Sequence, residues 1–354
     1  MLTVRKNYLT LVKALGIILM VIGHSGCPVF LHRFIYYFHM PLFFACSGYF
    51  FGIIKNRADL LTFVKKRISG LYMPYVKWSL LFLIAHNLFF ELNIYNQLWG
   101  YDGIAFEKYD FIQIVKRAVL ILFTMDKHEP LLGGFWFLKT LFLSSILVSS
   151  LEFLRYKLSF SAFYIWLFII IGMLVSKNYY INLPIFGNTS IIFMGCFYYM
   201  IGNYIKKFPH YFYHSGINLI AFITLILVAI LGKSISMFCQ LHDLLVYILL
   251  SISGITFSFY FSKRINKLNP PLLLYIIGEK TYIILALHFL SFKIVTLLYI
   301  YMNGLEIEQL SSFPTIDANN SFLWLFYSIV GVIMPISFFY GNLYIKKEII
   351  HNEI

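Results

Sequence analysis

Charge is scarce in this sequence, and negative charge is scarcer still. Only 12% of the residues are Asp, Glu, Lys or Arg, and 15 acids face 28 bases. With 60% of its 354 residues hydrophobic and a mean hydropathy of +0.79, the chain has too little polar surface to cover a water-soluble fold. Motifs are missing too. There is no HExxH, no GxSxG, no phosphate-binding P-loop and no Cys/His cluster, so neither a metal nor nucleotide hydrolysis has support. Cys27, Cys46, Cys196 and Cys239 lack metal or redox spacing and are expected to be free thiols. No period of 20–50 residues repeats, and no low-complexity tract interrupts the chain. A cleavable leader is not expected. The start, MLTVRKNYLTL, is basic but leads to no small-residue cleavage site, and His24 stands where a lipoprotein box before Cys27 expects Leu.

What is present is a series of apolar runs. They fall near 9–27, 34–54, 71–91, 134–151, 159–176, 188–205, 217–232, 241–262, 281–302 and 321–345. The expected fold is therefore all-α: a polytopic membrane protein with a bundle of about ten transmembrane helices, forming a single domain over 1–354. Aromatics at 20% suit a lipid-facing bundle with interfacial belts. The net charge of +13 is spread between the runs, which reads as a topology signal and argues against a nucleic-acid partner. Basic clusters occupy every second connection: Arg5 and Lys6; Lys55, Arg57, Lys65, Lys66 and Arg67; Arg155 and Lys157; Lys206 and Lys207; Lys263, Arg264 and Lys267; Lys346 and Lys347. The alternate connections hold only Arg33, Lys108, Lys116, Arg117, Lys127, Lys177 and Lys233. The positive-inside rule then places both termini in the cytoplasm and Asp102, Lys177 and Glu306 outside. Two amphipathic stretches flank the spans. DLLTFVKKR (59–67) reads as a helix on the cytoplasmic face, ahead of a third span that starts near Pro74. FIQIVKRAVLILFTM (111–125) is short, with Lys116 and Arg117 in its middle, and reads as an interfacial helix in the one long outer segment, 92–133.

The polar residues of the first hydrophobic hairpin, 8–51, are the anomaly. Lys13 and His24 are eleven positions apart, which at 100° per residue puts both on one helix face, about 16 Å apart along the axis. His39 follows the turn at 27–33, so the hairpin brings both imidazoles to similar depth near one membrane face. Ionisable groups inside a span are costly and mark functional sites by default. Topology adds Trp136, Lys139, His242 and Asp243 to the same outer layer, with His288 at intermediate depth.

Lys13-x10-His24, FHMPLFFACSGYFF (38–51), FVKKRISGLYMPY (63–75), GFWFLKTLF (134–142) and IGEKTYIILALHF (277–289) come in the order seen in the acyltransferase-3 superfamily, and the chain resembles that superfamily over nearly its whole length. The nearest resemblance is to its fucose 4-O-acetylase-like branch. Two positions depart from the pattern. Thr10 stands where an acid often precedes the Lys13 position, and Gly70 stands where a second arginine often follows Arg67. The resemblance implies an integral-membrane acyltransferase with about ten spans. It implies acetyl-CoA as cytoplasmic donor substrate and a sugar hydroxyl as acceptor.

With that resemblance, the residues acquire expected roles. Acyl transfer to a hydroxyl needs a base and a grip on the donor. His24 is the first candidate base; its alternative is a buried histidine satisfied by a neighbouring carbonyl. His39 either meets the acceptor or hydrogen-bonds across the hairpin. Asp243 is the acid that could orient a histidine, or a solvated helix edge. Lys13 either counters donor charge or snorkels to the cytoplasmic face. Lys65, Lys66 and Arg67 are expected at the CoA phosphates, a role compatible with topology signalling and anionic-lipid contact. Trp136, Lys139 and His288 are candidates for the acceptor: Trp136 as a sugar platform or an interfacial anchor, His288 as tunnel lining or packing. The expected activity is an O-acetyltransferase acting on a surface polysaccharide or its lipid-linked precursor in a bacterial-type inner membrane, with no metal. The rival readings are a glycolipid or polysaccharide transporter or flippase and a non-catalytic assembly subunit. A transporter should show inverted repeats or paired broken helices, and none is evident in the sequence.

Overall fold

A computed structural model describes residues 6–101, 104–126, 128–317 and 322–352. Arg5, Asp102 and Lys127 lie outside the described residues, as do the side chains of Lys346 and Lys347. The described chain is helical almost throughout. In order, the helices are α1 (Tyr8–His24), α2 (Val29–Tyr36), α3 (His39–Tyr49), α4 (Arg57–Arg67), α5 (Met73–Glu91), α6 (Phe111–Thr124), α7 (Trp136–Leu158), α8 (Ala162–Asn178), α9 (Thr189–Lys207), α10 (Pro209–Phe212), α11 (Ser215–Ile230), α12 (Leu244–Asn266), α13 (Leu272–Glu279), α14 (Thr281–Asn303) and α15 (Leu323–Asn352). Two hairpins of two-residue strands, Gly100–Tyr101 with Ile104–Ala105 and Asn182–Leu183 with Gly187–Asn188, decorate the loops. Five helical stretches among the described residues are long and apolar enough to cross a membrane: Arg57–Glu91, Pro130–Leu158, Leu241–Asn266, Thr281–Asn303 and Leu323–Gly341. Tyr8–His24, Ala162–Asn178 and Ser215–Ile230 are apolar but shorter.

Two expected boundaries are corrected. The run at 34–54 is not one helix. It breaks at Phe38, whose φ/ψ of −146°/−13° is non-helical, and resumes as the 11-residue α3. The amphipathic stretch at 59–67 and the span at 71–91 are joined instead, through a π-helical turn, Ile68–Tyr72. Pro74 explains the turn. It has no N–H to give the Gly70 carbonyl four residues back, and the wider turn moves hydrogen bonding one residue on, so that Met73 N–H donates to Ile68 O.

Backbone proximity fixes α3. A Cβ at Gly48 would lie 1.8 Å from the Tyr199 carbonyl oxygen, and one at Gly202 would lie 1.9 Å from that of Ala45. These reciprocal glycines let α3 and α9 touch backbone to backbone, the arrangement small residues permit between membrane helices. On the other side Phe38 lies against Gly254 of α12. The segment 92–133 is pinned by a buried contact between His86 and Glu129. His86 Nδ1 of α5 lies 2.7 Å from Glu129 Oε2, and its Nε2 donates to the Glu107 carbonyl at 2.8 Å. The ring of Tyr109 stacks on His86 at 3.5 Å. Next to Glu129, burial pushes the His128 imidazole down to about 4. The amphipathic α6 starts with a capping box between Asp110 and Gln113 and leaves Phe111 and Phe123 nearly fully exposed, the apolar face expected of an interfacial helix. All four cysteines are free, three of them buried.

Candidate active site

A cavity of about 720 Å³ opens between α1, α3, the π turn, α7, α12 and α14. Lys13 and His24 both line it, because they share a face of α1. His39 joins them from the first residue of α3, immediately after the break at Phe38. Trp136 contributes an aromatic wall at the start of α7, in contact with Phe238 at 5.0 Å. Most of the remaining lining is apolar, including Ile17, Met20, Phe43, Phe137 and Leu141.

Hydrogen bonds define the imidazoles. His39 is 3% exposed, and its Nδ1 lies 2.9 Å from the Ile35 carbonyl. A carbonyl only accepts, so Nδ1 carries the proton and Nε2 keeps the lone pair. The partner is the carbonyl four residues back in α2, on the other side of the break at Phe38, not across the hairpin. His24 Nδ1 is 3.4 Å from the Tyr36 hydroxyl, and its ring packs near Phe289 at 5.1 Å and His288 at 5.7 Å. His288 is fully buried behind His24 and is not among the cavity-lining residues.

The basic residues divide. Arg67 is half-buried, donating to Ser47 Oγ at 3.1 Å and Tyr199 Oη at 2.7 Å, with Phe63 beneath its guanidinium at 4.7 Å. Ser47 and the nearby Gly70 and Leu71 line the cavity, so Arg67 stands directly behind its wall. Lys65 and Lys66 are exposed and outside the lining. Lys139 turns away, pairing with Asp126 at 3.2 Å. Asp243 also lies elsewhere. It pairs with Lys233 at 2.6 Å and approaches His242 at 3.5 Å, and does not line the cavity. An orienting role for Asp243 toward His24 or His39 is therefore replaced by the contacts of Tyr36 and of backbone carbonyls.

Several lining residues are silent in the sequence. Tyr36, Ser47, Gly133, Gly134, Phe313 and Pro314 reach the cavity through tertiary packing. So do Tyr247 and Tyr282, whose hydroxyls are buried with no hydrogen-bond partner among the described residues. Their one legible signal is a polar atom within an apolar run, shared with many tyrosines in the chain.

The cavity thus gathers Lys13, His24 and His39 among apolar helices. The Acyltransferase domain family matches residues 6–341, and the chain belongs to that acyltransferase-3 family. Neither a curated protein nor a solved structure matches it. The chain is thus a membrane acyltransferase, and the family match spans the cavity and every residue named around it.

Proposed function

We propose that this acyltransferase moves an acetyl group from cytoplasmic acetyl-CoA to a sugar hydroxyl of a surface polysaccharide or its lipid-linked precursor. The supporting observation is the gathering of Lys13, His24 and His39 in one largely apolar cavity. In the reaction His24 takes the proton of the acceptor hydroxyl as its oxygen bonds to the thioester carbonyl carbon. The carbon–sulfur bond then breaks, and the imidazolium returns the proton to the departing CoA thiolate. His39, with its Nε2 lone pair free of the Ile35 contact, orients the acceptor hydroxyl. The apolar walls exclude water, which would otherwise compete as acceptor.

The donor enters from the side where Lys65, Lys66 and Arg67 gather. Phosphate favours such cations, and Lys13 carries positive charge on toward the thioester. Trp136 offers the sugar a stacking face. Lys139 and His288 act behind these walls, not on the sugar directly. About ten crossings with cytoplasmic termini fit this arrangement. α7, α9 and α12 each carry basic residues in their last turn, at the end assigned to the cytoplasm. The setting is a bacterial-type inner membrane.

The test is paired. Purified protein given radiolabelled acetyl-CoA and glycan should label the glycan. His24→Ala should lower that rate by about 10²–10⁴-fold, the usual cost of losing a general base, while its melting temperature stays near wild type. Retained transfer in a stable His24→Ala protein would remove His24 from the mechanism.

A further inference from the structure

His288 holds an unusual position. Its Nδ1 lies 3.1 Å from the Ile284 carbonyl and 3.0 Å from the Leu285 carbonyl. Both partners accept only, so Nδ1 carries the proton of the neutral ring and Nε2 keeps a lone pair. That Nε2 is fully buried and has no hydrogen-bond partner among the described residues. Leaving an acceptor unmade in the interior is costly, and such atoms call for an explanation. The aromatic rings around His288 are Phe289 at 3.9 Å, Phe292 at 5.8 Å and His24 at 5.7 Å. Of these, His24 alone has a proton to donate. Its other nitrogen, Nδ1, is turned to the Tyr36 hydroxyl.

We infer that His288 is the positioning residue for His24, its Nε2 lone pair receiving the His24 Nε2–H so that His24 Nδ1 carries no proton and its lone pair faces the Tyr36 hydroxyl, the place the acceptor hydroxyl takes in the reaction. The ring centroids, 5.7 Å apart, admit one direct hydrogen bond after a small rotation. The inference rests on the acyl-transfer reading of the cavity. During transfer His288 neither gains nor loses a proton. The hydroxyl proton goes to His24 Nδ1 and leaves from it to the CoA sulfur. Throughout, the His24 Nε2–H stays in its bond to His288, and that bond strengthens while His24 is an imidazolium, because charge-assisted hydrogen bonds are the stronger ones. The two carbonyls of α14 thus fix the tautomer of His288, which in turn fixes the tautomer of His24. No carboxylate is needed, which fits the placement of Asp243 against Lys233. The other titratable neighbours acting on His24 are His39 and His32.

Two side chains separate this role from packing. Asn can reproduce the Nδ1 donor of a histidine but has nothing at the Nε2 position. Gln carries its acceptor further out, at that position. His288→Asn is expected to lower kcat by about 10–100-fold, the range for losing one charge-assisted hydrogen bond, with KM for acetyl-CoA unchanged within about twofold. His288→Gln is expected to recover most of kcat. Equal losses in both variants, tracking a fall in melting temperature, would overturn the proposal in favour of packing. So would an unchanged kcat in His288→Asn. A measurement on the wild-type chain does not depend on either variant folding. ¹⁵N chemical shifts of His24 in detergent-solubilised protein should report the Nε2–H tautomer with Nδ1 bare; the reverse tautomer overturns the inference. This readout needs no turnover, so its failure is distinguishable from failure of the acetyl-transfer reading, which would appear as absent glycan labelling.

Discussion

Arg67 shows how a single side chain can serve two demands. Its guanidinium bonds Ser47 and Tyr199 while stacking on Phe63, which places a fixed positive charge behind the cavity wall. Lysine would keep the charge but not the fork. Arg67→Ala is expected to weaken CoA binding by about 10–100-fold in calorimetry, the range for losing charge-assisted hydrogen bonds. Normal CoA binding by that variant would reduce the basic stretch to a topology signal. At this scale the sequence was partly legible. Lys13 and His24 could be paired from their spacing alone, because helical geometry converts eleven positions into one face. Tyr36, Ser47, Tyr247 and Tyr282 could not, because each reaches the cavity only through the packing of helices far apart in the chain. Asp243 shows the converse: its place in the sequence did not reveal its partner Lys233.

Helices were easier to read than their joints. Hydropathy found the apolar runs, since lipid forces backbone hydrogen bonds to close within each segment. It missed the break at Phe38 and the fusion through Ile68–Tyr72, because both depend on where carbonyls and N–H groups find partners. The contact of α3 with α9 was equally hidden; a glycine in an apolar run looks like any other small residue. Its energetic weight is testable. Gly202→Leu would place a Cβ where the Ala45 carbonyl oxygen already lies, 1.9 Å away, and backbone cannot yield as a side-chain tip can. The variant is expected to lose more than about 4 kcal/mol, the range reserved for severe core disruption, and to fail to yield monodisperse protein. A well-folded Gly202→Leu protein with wild-type melting temperature would show that α3 and α9 do not meet as described. Gly70→Ala is the control, since a Cβ there meets nothing within 4 Å.

Across the whole molecule, the asymmetry of positive charge is the widest-reaching feature. It predicts an orientation with Arg67, Lys157, Lys207 and Lys267 on the cytoplasmic side and Lys177 and Glu306 opposite. Single cysteines introduced at these positions, in a background lacking the four native thiols, should divide accordingly on labelling with a membrane-impermeant maleimide. Labelling from outside at position 267 would invert the arrangement, and with it the proposed side of donor entry.

The break between α2 and α3 also bears on how the chain is made. α3 has 11 residues, about 16 Å of helix, well short of a hydrocarbon core of about 30 Å. The interrupted backbone at Phe38 cannot rest against lipid, which offers no hydrogen bonds. Its shelter comes from Gly254 on α12 and, for α3, from Gly202 on α9, both of which leave the ribosome long after residue 49. At an ordinary synthesis rate of about 5–20 residues per second, the first hairpin waits on the order of ten seconds for α9 and longer for α12. His24 and His39 therefore sit on the part of the protein made earliest and completed last. Biogenesis of this chain is expected to need something in the membrane, an insertase or a transient helix pairing, that holds the unfinished hairpin until the later helices arrive.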